Sequence, residues 1–144
     1  MNILTRFKII KPASEVFEAF VDPEKIGGFW FSSSSERWVT GKDITLRYDE
    51  YNATVLITVT EVVDNKKIVF KWGSGEEVRT TTITLDEIEP STTIIEITEE
   101  GFKGNYPEIL HEMLDNKEGW VFMLTCLKAY LEFGITGLRA GIAK

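Results

Sequence analysis

The stretch Glu118-Gly-Trp-Val-Phe-Met-Leu-Thr-Cys-Leu-Lys-Ala-Tyr-Leu-Glu-Phe-Gly134 constrains the fold more than any other part of the chain. At about 100° per residue, a helix drawn through it puts Trp120, Met123, Leu124, Leu127, Tyr130 and Leu131 on one side, and Phe122, Cys126, Ala129 and Phe133 widen that side. Thr125, Lys128 and Glu132, with Val121 among them, leave only a narrow polar strip. A helix on the surface of a domain usually carries an apolar stripe somewhat wider than ~100°, so this one must be covered from more than one direction. The cover has to come from the preceding residues, whose pattern is almost wholly β.

Residues 3–10 alternate weakly, with Phe7 and Ile9 opposite Arg6 and Lys8, as in a half-buried strand. Pro12 stops that strand and suits the first turn of a helix, whose face is Val16, Phe17, Phe20 and Val21. Asp22-Pro23 ends the helix, because a residue before proline is pushed out of the α region, and a short helical turn is expected from Pro23 to about Ile26. Phe29-Trp30-Phe31 and the serines Ser32 to Ser35 read as a loop that sets aromatics beside a flexible connection. Six β-rich runs follow, at Arg37–Thr40, Ile44–Tyr51, Ala53–Val63, Lys67–Trp72, Val78–Glu89 and Thr92–Glu100. Turn signals at Gly41-Lys42-Asp43, Asn52, Asp64-Asn65, Gly73-Ser74-Gly75 and Pro90-Ser91 separate them. With the first run these make seven strands on connections short enough for antiparallel hairpins. Val55, Ile57 and Val59 oppose Thr54, Thr58 and Thr60, and Ile68, Phe70 and Trp72 oppose Lys67 and Lys71, so the sheet has one dry face and one wet face. Pro107 opens the last helix with Glu108 in its first turn, where the helix dipole favours an anion. Asp115-Asn116-Lys117-Glu118-Gly119 is expected to kink or split it.

At 144 residues the chain fits a single domain, 1–144, able to bury roughly 68–70% of its unfolded surface. Sixteen Lys plus Arg against 23 Asp plus Glu give a formal charge of −7, which disfavours nucleic acid and anionic membranes as partners. No run approaches the ~18 apolar residues of a membrane span, and the first residues lack a secretory signal pattern, so a cytoplasmic location is the default. Cys126 is the only cysteine and reads as a small buried hydrophobe.

The order strand, helix, short helix, six strands, long helix is that of an α+β helix-grip fold, also called birch-pollen-allergen-like. Lys11-Pro-Ala-Ser-Glu-Val-Phe-Glu-Ala-Phe-Val-Asp-Pro23 followed by Phe29-Trp-Phe31, Val62-Val-Asp64 leading into Ile68-Val-Phe-Lys-Trp72, Glu99-Glu-Gly-Phe102, Gly119-Trp120 and Leu127-Lys-Ala-Tyr-Leu-Glu-Phe-Gly134 together resemble the START-like SRPBCC superfamily. More narrowly, the chain resembles homologues of the C-terminal domain of the activator of the ninety-kilodalton heat-shock protein ATPase. The resemblance covers nearly the whole chain. It implies a seven-stranded antiparallel sheet wrapped round the C-terminal helix, two short helices after the first strand, and an apolar cavity that in relatives holds lipids, sterols or polyketides. It implies no single chemistry, and chaperone activation is not expected to carry over, since the resemblance is to the full activator's C-terminal domain alone.

Trp30, Phe31, Trp38, Tyr48, Phe70, Trp72, Trp120, Met123 and Leu127 are the candidates for lining such a cavity, since they fall on the dry face, the apolar arc of the helix or the loop over the opening. Small-ligand pockets are mostly apolar with a few polar groups, and the same residues also suit a filled core. Glu99 shares a strand face with Ile95 and Ile97. A carboxylate there is expected at the solvated rim, and if buried it would orient a ligand or accept a proton. Arg79 either meets Glu99 across the sheet or lies on the surface. His111 is the only histidine and the acidic residues show no metal-ligand spacing, so no metal and no cofactor are expected. The serines lack a nucleophile-elbow context.

Three functions compete: a non-enzymatic binding protein for a small hydrophobic molecule, a chaperone-associated protein interaction module, and a cyclase-type or hydratase-type enzyme using Glu99 or Tyr48. An enzyme needs at least two titratable groups converging in the cavity, and the dry-face residues supply one carboxylate, which makes the binding protein the leading expectation.

Overall fold

The computed structural model describes residues 2–73 and 75–143, apart from the side chain of Glu76. Seven strands, β1 (Asn2–Ile9), β2 (Ser33–Ser34), β3 (Asp43–Tyr48), β4 (Ala53–Val63), β5 (Lys67–Trp72), β6 (Arg79–Glu89) and β7 (Thr92–Glu100), form one antiparallel sheet in the order β1-β7-β6-β5-β4-β3-β2. Two α-helices accompany it, α1 (Ala13–Val21) and α2 (Tyr106–Phe133), so the helix-grip architecture is as the sequence pattern requires.

Register explains the dry face. Ile3, Glu99, Thr81, Phe70 and Val59 are lateral neighbours across β1, β7, β6, β5 and β4, and Ile44, Ile57, Trp72 and Arg79 form the next row. Side chains two apart share a face, so Ile57, Val59, Ile68, Phe70, Ile83, Ile95 and Ile97 all turn inward and are fully buried. A register shift between Val59 and Glu61 in β4 and another between Glu87 and Glu89 in β6 mark bulges. Bulges bend a strand and increase its twist, which helps a sheet to curve round a helix.

Asn105 caps α2 by accepting from the Glu108 N–H, Pro107 occupies its first turn, and Gly134 ends it at φ +69°. There the Gly134 and Ile135 N–H groups close on the Tyr130 and Ala129 carbonyls, at 3.0 and 3.1 Å. The C-terminal half of the helix is held by apolar burial of Met123, Leu124, Cys126 and Leu127. Its N-terminal half is held by polar anchors: Glu112 on Arg79, Asn116 and Trp120 on Glu99, and Lys117 on the Leu4 carbonyl and the Thr5 hydroxyl. These anchors are why the expected break at Asp115–Gly119 does not occur. Glycine costs a helix interior only about 1 kcal/mol relative to alanine, and the turns on either side of Gly119 are both tied to the sheet. Phe133, expected to widen the apolar arc, instead lies exposed at the end of α2.

Two further expectations are corrected. Arg37–Thr40 is not a strand, because Arg37 pairs with Glu18 at 2.7 and 2.9 Å and the Trp38 N–H donates to the Val21 carbonyl at 3.2 Å, which ties the start of the segment to α1, while Thr40 meets β4 through its side chain, its hydroxyl accepting from the Val62 N–H at 3.0 Å. The edge strand is Ser33–Ser34, paired with Arg47 and Leu46. The strand expected to reach Tyr51 ends at Tyr48 in a 3-10 turn over Asp49–Tyr51, and the short turn after Pro23 forms at Ile26–Gly28. In that turn a Cβ on Gly28 would lie 2.5 Å from the Tyr130 ring, so only glycine lets it approach α2. Of the turn expected at Gly73-Ser74-Gly75, Ser74 lies outside the described residues. No helix among the described residues is long and apolar enough to cross a membrane.

The packing distinguishes two adjacent positions on α2. Leu127→Ala is expected to cost ~2–5 kcal/mol, the range for truncating a buried leucine. Lys128→Ala, which removes a half-exposed ammonium from the Lys8 carbonyl and Glu132, should cost ~1 kcal/mol or less. Urea denaturation of both variants measures the difference, and equal midpoints would refute this orientation of the helix.

Candidate functional site

Four aromatic side chains from distant parts of the sequence converge where the loop after α1, the end of β5 and the middle of α2 meet. The Trp30 ring centroid lies 5.6 Å from that of Trp120 and 4.8 Å from that of Phe31, and Trp72 lies 5.7 Å from Trp120. Together with Asp115, Asn116 and Gly119 they line a pocket of about 460 Å³. Two smaller hollows adjoin it. One, of about 350 Å³, shares Trp72 and Asn116 and adds Val55, Gly73, Glu77, Arg79, Glu99 and Glu112. The other, of about 220 Å³, shares Trp30 and Gly119 and adds Phe29, Tyr48, Tyr51, Phe122, Met123 and Ile142. The aromatic cleft thus has an acidic end and an apolar end.

The candidate residues divide accordingly. Trp30, Phe31, Trp72 and Trp120 line the main pocket, Tyr48 and Met123 the apolar end, and Glu99 the acidic end. Trp38, Phe70 and Leu127 line none of the three. Phe70 and Leu127 are fully buried, and Trp38 packs edge-on to Phe70 while its indole N–H donates to the Ser34 hydroxyl. His111 lies exposed on α2, 3.5 Å from Asp115.

Glu99 is not at the rim. It is fully buried and accepts from the Trp120 indole N–H at 2.9 Å and from the Asn116 amide at 3.2 Å on each oxygen. Burial pushes its carboxyl above the ordinary glutamate value, outweighing those hydrogen bonds and the attraction of Arg79. Arg79 is itself buried beside it and reaches Glu112, the Glu77 carbonyl and the Gly101 carbonyl, with Phe102 against its guanidinium. Helical spacing makes this cluster possible, since Glu112, Asn116 and Trp120 follow one another at i, i+4 and i+8 on one face.

Arg139, which no periodic pattern singles out, holds the loop over the cleft. Its guanidinium donates to the Trp30 carbonyl at 2.6 Å, to the Ser32 hydroxyl at 2.9 Å and to both oxygens of Glu50 at 2.7 and 3.0 Å. That hydrogen bonding brings the Glu50 carboxyl down to about 2. Tyr48 lies under the guanidinium and donates to the Arg139 carbonyl, and Tyr51 donates to the Ile142 carbonyl at 2.8 Å. Burial pushes the Tyr48 phenol up to about 12, so at neutral pH it is a donor and not a base. The Cys126 thiol is likewise pushed up by burial, which leaves it unreactive.

Glu99 makes stability depend on pH in a stated direction. Below the unfolded glutamate value of about 4.3 both folded and unfolded chains hold the proton. As pH rises toward the elevated folded value the unfolded chain releases it first, so stability present in acid is lost on the way to neutral. Glu99→Gln keeps an acceptor for Trp120 and removes the ionisation. The variant should therefore be more stable than the parent at pH 7 and equal to it near pH 4, as urea denaturation between those values will show; a Gln variant less stable at both ends would refute the assignment.

The sequence matches the family described as activator of Hsp90 ATPase homolog 1-like protein over residues 11–132. No curated protein matches the chain. Among solved structures, protein SSP2350 from Staphylococcus saprophyticus is 51% identical, with 94% of this chain and 95% of that one covered and a TM-score of 0.82. The Aha1 dimer from Colwellia psychrerythraea is 20% identical over 93% of this chain and 98% of that one, with a TM-score of 0.79. DynU16, a putative protein of the dynemicin biosynthetic locus, is 21% identical over 96% of this chain but 49% of its own, with a TM-score of 0.82. The two distant structures share the fold, and the match across most of the sequence shows that this chain belongs to the family of activator of Hsp90 ATPase homolog 1-like proteins.

Proposed function

We infer that this protein binds a small hydrophobic molecule in the aromatic cleft between the sheet and α2, without catalysing a reaction on it. The observation that carries the reading is the pocket of about 460 Å³ that Trp30, Phe31, Trp72 and Trp120 line between the sheet and α2. Gly119, exposed in mid-helix, lines both this pocket and the apolar end, and a Cβ built on it would touch nothing within 4 Å. Apolar walls with a few placed polar groups are the usual form of a small-ligand site, and Trp30, Trp72 and Trp120 contribute to such walls here.

The titratable groups favour binding over catalysis. Both oxygens of Glu99 already accept from Asn116 or Trp120, and the Tyr48 hydroxyl is committed to the Arg139 carbonyl. They stand at opposite ends of the cleft, Glu99 at the acidic end and Tyr48 at the apolar end, so they do not converge on one reacting group. A purely protein-binding module, the competing reading drawn from the family, gives the cleft no role.

Two substitutions at Gly119 test this. Gly119→Ala should stabilise the ligand-free protein by ~1 kcal/mol, about 2–4 °C in Tm for a chain of this size, and leave binding intact. Gly119→Phe should fold but occupy the cleft. In a thermal-shift screen of planar aromatic compounds, sterols and fatty acids, a true ligand raises the Tm of the parent by mass action and leaves that of the Phe variant unchanged. If no compound shifts the parent, or if one shifts both proteins equally, the interaction-module reading prevails.

A further inference from the structure

The sheet ends on one side in the two-residue β2 and on the other in the eight-residue β1, which pairs with β7 alone. In an antiparallel strand each residue turns its N–H and C=O to the same side, alternately toward and away from the neighbouring strand. Polar groups of α2 mark the residues of β1 that turn away. Lys117 donates to the Leu4 carbonyl, Lys128 donates to the Lys8 carbonyl at 2.8 Å, and Glu132 accepts from the Ile10 N–H at 2.9 Å. Arg6 has the same parity, so its N–H and C=O point out of the sheet, and no group of another element reaches them among the described residues. A long strand edge with unpaired main chain is a template for another chain.

The same edge is cationic and is bordered by apolar surface. Arg6 and Lys8 lie exposed on the outer face, and neither they nor Lys117 belong to an ion pair among the described residues. Glu96 sits across from Arg6 on β7 without pairing to it. Counting ~100° per residue, Leu110, Leu114, Lys117, Val121, Lys128 and Glu132 fall within ~60° of one another on α2. The strip of helix that reaches the edge therefore also carries three exposed apolar side chains, Leu110, Leu114 and Val121. β1 has no acidic residue, and the one carboxylate of the strip, Glu132, is held by Lys128 at 2.6 Å. In a chain of formal charge −7, strand and strip together set four cations against one anion.

Lysines on an edge serve to keep other chains away, and they do exclude a second copy of this one. Pairing β1 with β1 would set Arg6 and Lys8 among their counterparts, and like charges directly opposite are destabilising. Guarding alone gives no role to the exposed Leu114 and Val121. We propose that the free edge of β1 docks an extended acidic segment of a partner protein, which adds as an eighth strand with carboxylates beside Arg6 and Lys8 and apolar side chains toward Leu114 and Val121. Alternate side chains of a strand point to opposite faces, so one segment meets both requirements. Lys117 and Lys128, displaced from the Leu4 and Lys8 carbonyls, are then neutralised by the incoming carboxylates, whereas an uncharged strand would leave them without a partner. This site is separate from the cleft, and its occupancy does not depend on a ligand there.

The probe is the end-blocked heptapeptide Glu-Val-Glu-Val-Glu-Val-Glu, titrated by calorimetry and by NMR of the labelled protein. It should bind, slow amide exchange at Arg6 by ~10-fold or more, equivalent to at least ~1.4 kcal/mol of added protection, and shift the methyl signals of Leu114 and Val121. The lysine counterpart of the peptide should not bind. Two further peptides, N-methylated at the glutamates or at the valines, keep the side chains and remove alternate N–H donors; one of the two should lose binding and the other retain it. Lys8→Glu, whose neighbour across the ladder is Ile94, should weaken binding ~10-fold. Should that variant fold poorly, amide exchange at Arg6 in the parent decides the matter. Binding of both N-methylated peptides as tightly as the parent peptide, or equal competition by pentathymidylate, would show a merely anion-collecting surface and overturn the proposal. No binding at millimolar peptide, with Arg6 exchange unchanged, would overturn it in favour of lysines that only guard the edge.

Discussion

A curved sheet can hold a long helix only if both ends of that helix are attached to it, and in this protein the two ends are attached by different forces. The C-terminal half is buried by shape and apolar area, with Met123, Leu124 and Leu127 pressed onto the dry face. The N-terminal half is held by polar side chains, with Glu99 at their centre. Glu99 takes hydrogen bonds from Asn116 and Trp120 one helical turn apart, and the Arg79–Glu112 pair extends the attachment by another turn. An apolar attachment would draw the helix against the sheet along its whole length. A polar one fixes it through a few long side chains and leaves room between them. The aromatic cleft occupies that room, so the means of holding the helix also sets where the protein is hollow.

The sequence and the structure agree where burial enforces a period. Ile57, Val59, Ile68 and Phe70 alternate with threonines, lysines and valines, and a one-residue slip would turn the whole set outward, so their face is written in the pattern. Ser33–Ser34 is invisible by the same measure, because a two-residue edge strand is made of backbone pairing and its side chains carry no period. Arg37–Thr40 has the look of a strand, but its one deeply buried ring, Trp38, is tied through its backbone to α1.

The site is legible in part for related reasons. Trp72 and Trp120 stand out as large rings on faces already known to be dry, and Trp30 as a ring in the loop beside them. Alternation gives the direction of Glu99 but not its depth, which is set by Asn116 and Trp120 closing over it from another element. Asn116 and Gly119 belong to a run whose composition signals a helix break, and only tertiary anchoring keeps it helical. Arg139 lies in a segment with no period at all, and its role depends on Trp30, Ser32 and Glu50 being brought to it.

That last arrangement bears on how the protein is assembled. Arg139 binds the Trp30 carbonyl across 109 positions of sequence and Glu50 across 89, while the strands it lies beside are joined by hairpins. Contacts between residues far apart in sequence carry the larger loop-closure entropy and form late. The sheet is closed by pairings of similar reach, since β1 meets β7 with Asn2 opposite Glu100, so completing the sheet and fastening the aromatic loop carry comparable loop-closure costs. In the native state the clamp is buried and makes hydrogen bonds to the Trp30 carbonyl, Ser32 and both oxygens of Glu50. The loop over the cleft is thus fastened from two sides, by the Arg139 clamp without and by the packing of Trp30 against Phe20, Trp38 and Trp120 within.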